Sequence, residues 1–262
     1  MTLGIWLINL DGSDKRLTRS AASLADAGLA FERLPAFDGR KLTKDQFPLY
    51  DARATLGRFG RDLTGGEIGC FLSHLAAVRR FLDSSNDFGL VAEDDLSVAK
   101  DAAVVMQGLL AALRSGAALK PWHVANLGAP ARRMYSVLGE VHPGFHLLRA
   151  HYFPVTTTAI LWNRDGAAAF LAAATRIDMP VDHWLRHWAI EADSGLALDR
   201  PVFPSLDLES EIDIAAPRNA FRGGLRFFWA RQKRLFLNKR RAGGHAARFR
   251  TVHAPAGNTG RN

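Results

Sequence analysis

The chain has 262 residues, 48% hydrophobic and 23% charged, an ordinary globular composition that excludes a fibrous or low-complexity protein and suffices for one large or two small domains. Its first apolar run, Ile5-Trp6-Leu7-Ile8, has no basic flank and is too short for a secretion signal. No stretch reaches the length of a membrane span, and the single cysteine, Cys70, can form no internal disulfide, so a cytoplasmic protein is expected. The net charge of +8 is confined to one end: Ile214–Asn262 holds twelve Lys and Arg and no Asp or Glu, leaving residues 1–213 with 22 basic against 26 acidic residues. This break divides the chain into a body, 1–213, and a basic, aromatic-rich tail, 214–262, expected to be amphipathic or partly disordered.

Ile5–Leu10 reads as a strand, followed by a polar loop and a helix capped near Ser13 or Asp14, with Leu17, Ala21 and Leu24 on one face and Gly28 as its stop. Phe31–Leu34 returns as a strand, and a right-handed β-α-β start leads to a mostly parallel sheet. Residues 36–63 carry weak signals: a short helix around Thr43–Tyr50, then an Arg-rich segment (Arg53, Arg58, Arg61) that reads as loop. Thr64-Gly65-Gly66-Glu67 has the spacing of a capping box. The helix behind it places Ile68, Phe71, Leu72, Leu75, Val78 and Leu82 on one face, with Glu67, Cys70 and His74 on its flank. Phe88–Ala92 reads as a buried strand ending in Glu93-Asp94-Asp95. Beyond it the pattern gives a helix over Val98–Arg114, a strand over Trp122–Gly128, hairpin turns within Met134–His151 and a strand over Val155–Trp162. A helix over Arg164–Ala174, a second over His183–Ala192 and a strand over Leu196–Phe203 complete the body.

The acidic triplet is the centre of interest. Carboxylates two residues apart at a strand end can share a hard divalent cation such as Mn²⁺ or Mg²⁺, while the same cluster could instead be a solvated turn. Cys70 and His74, four apart on one helix with Ser73 beside them, could form a nucleophile and base, but packing and hydrogen bonding are the commoner use of such a pair. Asp182, behind Pro180 and ahead of a helical pattern, could be an N-cap, a general base, or both. Asn9 and Arg16 flank the first strand, where α/β proteins hold nucleotides, although no Gly-x-Gly-x-x-Gly or Walker loop is present. Between Arg218 and Arg250 the tail interleaves bulky apolar with basic residues. That pattern suits an anionic membrane surface; nucleic acid is a weaker fit, and a solvated tail is the bland alternative.

Taken in order, Ile8-Asn9-Leu10 with Arg16, Gly66-Glu67-Ile68-Gly69-Cys70-Phe71-Leu72-Ser73-His74, Glu93-Asp94-Asp95 and Pro180-Val181-Asp182 resemble glycosyltransferase family 25, which includes bacterial lipooligosaccharide galactosyltransferases and collagen galactosyltransferases. The resemblance covers about residues 3–213, with Ala92 in place of a larger aliphatic residue before the triplet and no match over Met134–His151. It implies an α/β fold of GT-A type, with one Rossmann-like nucleotide-sugar-binding domain and a mostly parallel central sheet flanked by helices. It further implies an inverting transfer of hexose, galactose by the family's precedent, from a UDP-sugar to a lipopolysaccharide or lipooligosaccharide-type glycan or glycolipid acceptor, assisted by Mn²⁺ or Mg²⁺. Carried over residue by residue, Glu93 and Asp95 become metal ligands and Asp182 the catalytic base, while Asn9, Arg16, Glu67, Ser73, His74 and Asp94 become substrate-binding residues. Residues 218–250 would then hold the enzyme at the inner face of the cytoplasmic membrane. The rival reading is an inactive relative that binds nucleic acid or anionic surfaces through its tail.

Overall fold

The computed structural model describes residues 2–206 and 224–253. In chain order the body comprises β1 (Leu3–Asn9), α1 (Asp14–Asp26), β2 (Glu32–Pro35), α2 (Ala52–Arg58), α3 (Gly65–Asp83) and β3 (Phe88–Glu93). It continues with α4 (Ala102–Arg114), β4 (Val124–Asn126), β5 (Tyr135–His142), β6 (Phe145–Ala150), β7 (Ala159–Asn163), α5 (Arg164–Ala173), α6 (Val181–Ala192) and β8 (Gly195–Leu198). A last helix, α7 (Gly224–His253), follows.

The strands form one eight-stranded sheet in the order β2-β1-β3-β7-β4-β8-β6-β5. Period-two alternation divides its apolar residues between two faces. Trp6, Ile8, Val91, Ile160 and Trp162 point into a core closed by α3, α5 and α6; Ile5, Leu7, Leu90, Ala92 and Leu161 point into one closed by α1 and α4. Both faces being covered makes the class α/β, as expected.

The sheet is more mixed than the β-α-β start suggests. β1 is parallel to β2 and β3, and β4 to β8, but β7 runs antiparallel between β3 and β4, and β6 runs antiparallel to β8 and β5. Chain order cannot reveal this, because β7 is inserted between strands that precede it by about thirty and seventy residues in sequence.

Local signals survive where they are strong. Thr64 and Glu67 close a reciprocal capping box at the start of α3, and Gly144 makes the β5–β6 turn at a φ of 79°. Between Ala36 and Leu63 the expectation is corrected: Thr43–Tyr50 yields only a 3-10 turn at Lys44–Gln46, and the Arg-rich segment contains α2, whose first turn is capped by the Asp51 carboxylate.

The described part of the basic tail is a 30-residue helix docked on the body. Asn238, Ala242, Ala246 and Phe249 are buried, and Phe227 packs edge-on against Phe59 at 5.5 Å. Arg234 donates to the Arg58 and Phe59 carbonyls at 2.8 and 2.7 Å, satisfying acceptors that the end of α2 leaves open. Residues 207–223 and 254–262, which include the rest of the expected tail, lie outside the described residues. A second tether is polar and deep: Asp193, in left-handed conformation at the end of α6, meets His151 at 2.7 Å and Lys120 at 2.8 Å, and His151 reaches Ser136 at 3.0 Å beneath the Phe249 ring.

Candidate active site

The long helix α3 turns one short sequence to four tasks. Glu67 completes the capping box and takes a two-pronged ion pair from Arg61, at 2.6 and 2.8 Å. Gly69 and Ser73, one turn apart, grip the backbone of the preceding loop. A Cβ on Gly69 would stand 2.3 Å from the Phe37 carbonyl, and the Ser73 hydroxyl accepts from the Phe37 amide at 2.8 Å while donating to Gly69. Ile68, Phe71, Leu75 and Val78 enter the core. Cys70 and His74, again one turn apart, face Glu93.

At the carboxyl end of β3 the three acidic residues point three ways. Glu93 Oε1 accepts from the Thr157 hydroxyl at 2.5 Å and lies 3.0 Å from His74 Nε2 and 3.9 Å from Cys70 Sγ. Burial raises the Glu93 pKa, but the His74 and Thr157 hydrogen bonds and the charges of His74 and Arg16 outweigh it, and the net shift is downward. Asp94 turns back into the fold. Its carboxylate takes the Asn9 amide at 2.7 Å and Arg16 at 3.1 Å, and its carbonyl takes the Ser20 hydroxyl at 2.7 Å. Asp95 accepts from Ser205 through Oδ2 at 3.0 Å, whereas its Oδ1 is buried with no partner among the described residues. Burial and the neighbouring Glu93 charge push the Asp95 carboxyl up to about 6.

Asp182 sits at the second position of α6, half-buried, with Oδ1 accepting from the His183 amide at 2.7 Å. The N-cap is Pro180, so Asp182 is not the cap the sequence allowed. Its charge reaches Cys70: burial, then Glu93, Asp182, Asp95 and Glu67 in that order, drive the thiol pKa well above its ordinary value. Burial and four acidic groups drawn from α3, the β3 end and α6 disfavour the Cys70 thiolate, a setting unlike that of a catalytic nucleophile.

The structure thus brings Glu67, His74, Glu93, Asp95 and Asp182 to one region. It also gives several of the expected substrate-binding residues contacts within the fold. Asn9 is 1% exposed, and its amide is used on Asp94, the Ser13 carbonyl and Arg33. Asn9, Arg16 and Asp94 together hold the acidic loop against β1 and α1, and Ser73 is spent on Phe37. Sequence reading missed Thr157, which comes from the Thr-rich lead-in to β7, and Phe59, Arg61 and Phe227, which stack beside Glu67 and His183 with Arg61 4.8 Å above the Phe59 ring. Candidate donors for a metal meet at Glu93. Cys70, His74 and Glu93 hold ligand atoms within 4.8 Å of one another, and Asp95, whose carboxyl feels the Glu93 charge, adds a carboxylate two residues on.

Residues 2–127 match the model of "Glycosyltransferase family 25 (LPS biosynthesis protein)". This region belongs to glycosyltransferase family 25. Asn9, Arg16, Glu67, His74 and the acidic triplet fall inside the family 25 region, while Thr157 and Asp182 lie beyond it. The chain is 26% identical over 185 residues to procollagen galactosyltransferase 1 of Danio rerio, covering 69% of this chain and 30% of that protein. It is 33% identical over 96 residues to a glycosyltransferase 25 family member of Aedes aegypti, covering 35% of this chain and 16% of that one. The chain therefore spans less than a third of the length of these relatives. The crystal structure of S. aureus TarS 1–349 superposes with a TM-score of 0.44 and 13% identity, covering 78% of this chain and 60% of that one, a likeness too loose to bear on function.

Proposed function

We propose that the protein is an inverting glycosyltransferase of GT-A type that moves a hexose, galactose, from a UDP-sugar to a hydroxyl of a lipopolysaccharide-type glycan acceptor. The observation that carries this reading is the convergence of Glu93, Asp95 and Asp182, from two separate elements, on one region lined by α3. The similarity to procollagen galactosyltransferase 1 supports galactose, and the match to a family of LPS biosynthesis proteins supports the acceptor class.

The oxygen donors fit a divalent cation. Asp95 Oδ1 is a buried carboxylate oxygen without a partner among the described residues, an arrangement that a cation would complete. Mn²⁺ or Mg²⁺ held by Asp95 and Glu93 would supply charge neutralisation for the departing diphosphate. His74 and Thr157 fix the Glu93 carboxylate from behind, and Asn9, Arg16 and Asp94 fix the loop that carries Asp95. Arg16 lowers the pKa of both Glu93 and Asp95, so its positive charge reaches the region where the diphosphate would lie. Asp182 takes the proton from the acceptor hydroxyl as its oxygen bonds to the anomeric carbon. The bond from that carbon to the UDP oxygen breaks, and the bonding pair leaves with UDP.

The outward face of α7 supports an anionic membrane surface as the enzyme's working place. Leu225, Trp229 and Phe236 share that face and are 77%, 67% and 65% exposed, with Arg226 and Arg240 beside them. No described helix is long and apolar enough to cross a membrane.

UDP release from UDP-galactose, measured with and without a lipooligosaccharide acceptor, tests the proposal. Asp182→Asn should lower turnover by about 10²-fold or more while leaving the KM for donor nearly unchanged. Wild-type turnover in Asp182→Asn removes it as the base.

A further inference from the structure

Between α2, the lead-in to α6 and α7 lies a cavity of about 350 Å³, at the small end of ligand-site sizes, which the transfer chemistry above does not use. Among the described residues four cationic side chains line it, Arg58, Arg176, Lys233 and Arg234, against a single carboxylate, Asp178. That carboxylate is already committed. It is 1% exposed, takes two hydrogen bonds from Arg58 at 2.9 and 3.2 Å, and meets Arg176 at 3.4 Å. Arg176 also lies 3.8 Å from Asp51 at the rim, and Lys233 has no ion-pair partner among the described residues. Arg234 spends one nitrogen on the carbonyls that end α2 and has no carboxylate partner among the described residues. Burial first, and then the charges of Arg231, Arg61 and Arg58, bring its pKa down to about 10. His187, on the same wall, is likewise pushed down by burial and by Arg58 and Arg241, partly offset by Asn238 and Asp178.

Proteins rarely hold guanidinium and ammonium groups together at a partly covered site without an anion to neutralise them. We propose that this cavity is a binding site for a phosphate group, carried either by a soluble phosphoester or by a lipid headgroup. Arginine forks and a lysine point charge are the residues that recognise phosphate oxygens, and here they come from three elements fixed by Asp178 and by the α2 end rather than from one flexible run. The cavity wall includes Met179, three residues ahead of Asp182, so a phosphate seated there would lie beside the helix that presents the proposed base.

Isothermal titration of the full chain with inorganic phosphate, at constant ionic strength set by chloride, tests this without any transfer assay. Saturable binding is expected. Lys233→Glu should weaken it about tenfold or more. Lys233→Arg should retain it, and Arg240→Glu, on the same helix but outside the cavity, should leave it unchanged. Glucose 1-phosphate and vesicles containing phosphatidylglycerol separate the sources. A headgroup site binds the vesicles in competition with phosphate, and a soluble-ester site binds glucose 1-phosphate while its phosphate affinity is unmoved by vesicles. Absence of saturable phosphate binding, or equal weakening by Lys233→Glu and Arg240→Glu, overturns the proposal.

Discussion

Asp193→Asn offers a quantitative test of how the body holds α6, the β5–β6 hairpin and α7 together. Asp193 is 3% exposed, in left-handed conformation, and its carboxylate is shared between His151 and Lys120. Burial alone would raise its pKa, but those partners more than compensate and lower it from 3.8 to about 2. At ~1.4 kcal/mol per pKa unit the difference is worth about 2.5 kcal/mol of stability at neutral pH. Because the folded carboxyl releases its proton more readily than the unfolded one, that stability is complete above the unfolded value and disappears as pH falls from 3.8 towards about 2. Asparagine keeps the size and tolerates the left-handed backbone, so the substitution removes charge without adding strain. Urea unfolding followed by far-UV circular dichroism should therefore show a loss of about 2–3 kcal/mol at pH 7 that shrinks steadily below pH 4. A loss of the same size at both ends of that range, or no loss at pH 7, would refute the ion-pair account.

Two further predictions concern α3. The Cys70 thiol, held protonated by burial and four neighbouring carboxylates, should react with a disulfide reagent at pH 8 at least 10²-fold more slowly folded than in urea. Equal rates would show a thiolate and reopen the nucleophile reading. Gly69→Ala puts a methyl 2.3 Å from the Phe37 carbonyl, a backbone atom that cannot simply swing aside. A loss of about 1–3 kcal/mol is expected, and a neutral result in thermal unfolding would mean that the loop at 36–39 is not clamped by this helix.

What could be read from the sequence follows the range of the interactions. The capping box at Thr64 and Glu67, the apolar runs of β1 and β3 and the turn at Gly144 are specified within a few residues, and each stands where the residue pattern places it. α2 was illegible because seven residues with Leu56 exposed carry little periodic signal. Its last carbonyls are satisfied by Arg234, 175 residues or more away. The site divides in the same way. Glu93, Asp95 and Asp182 could be picked out as residues, but the turn of Asp94 onto Asn9 across 85 positions and the arrival of Thr157 on Glu93 across 64 depend on the sheet order. The contacts of Asn9 with Asp94 and of Ser73 with Phe37 likewise appear only in three dimensions.

The most direct test of the account is thermal unfolding of the wild type and Asp95→Asn with UDP-galactose, with Mn²⁺ or EDTA present. If Asp95 and Glu93 hold the ion that meets the donor's diphosphate, UDP-galactose raises the wild-type midpoint by several degrees only when Mn²⁺ is present, and Asp95→Asn abolishes the rise while keeping its own cooperative transition. Equal stabilisation in EDTA, or in Asp95→Asn, would contradict it.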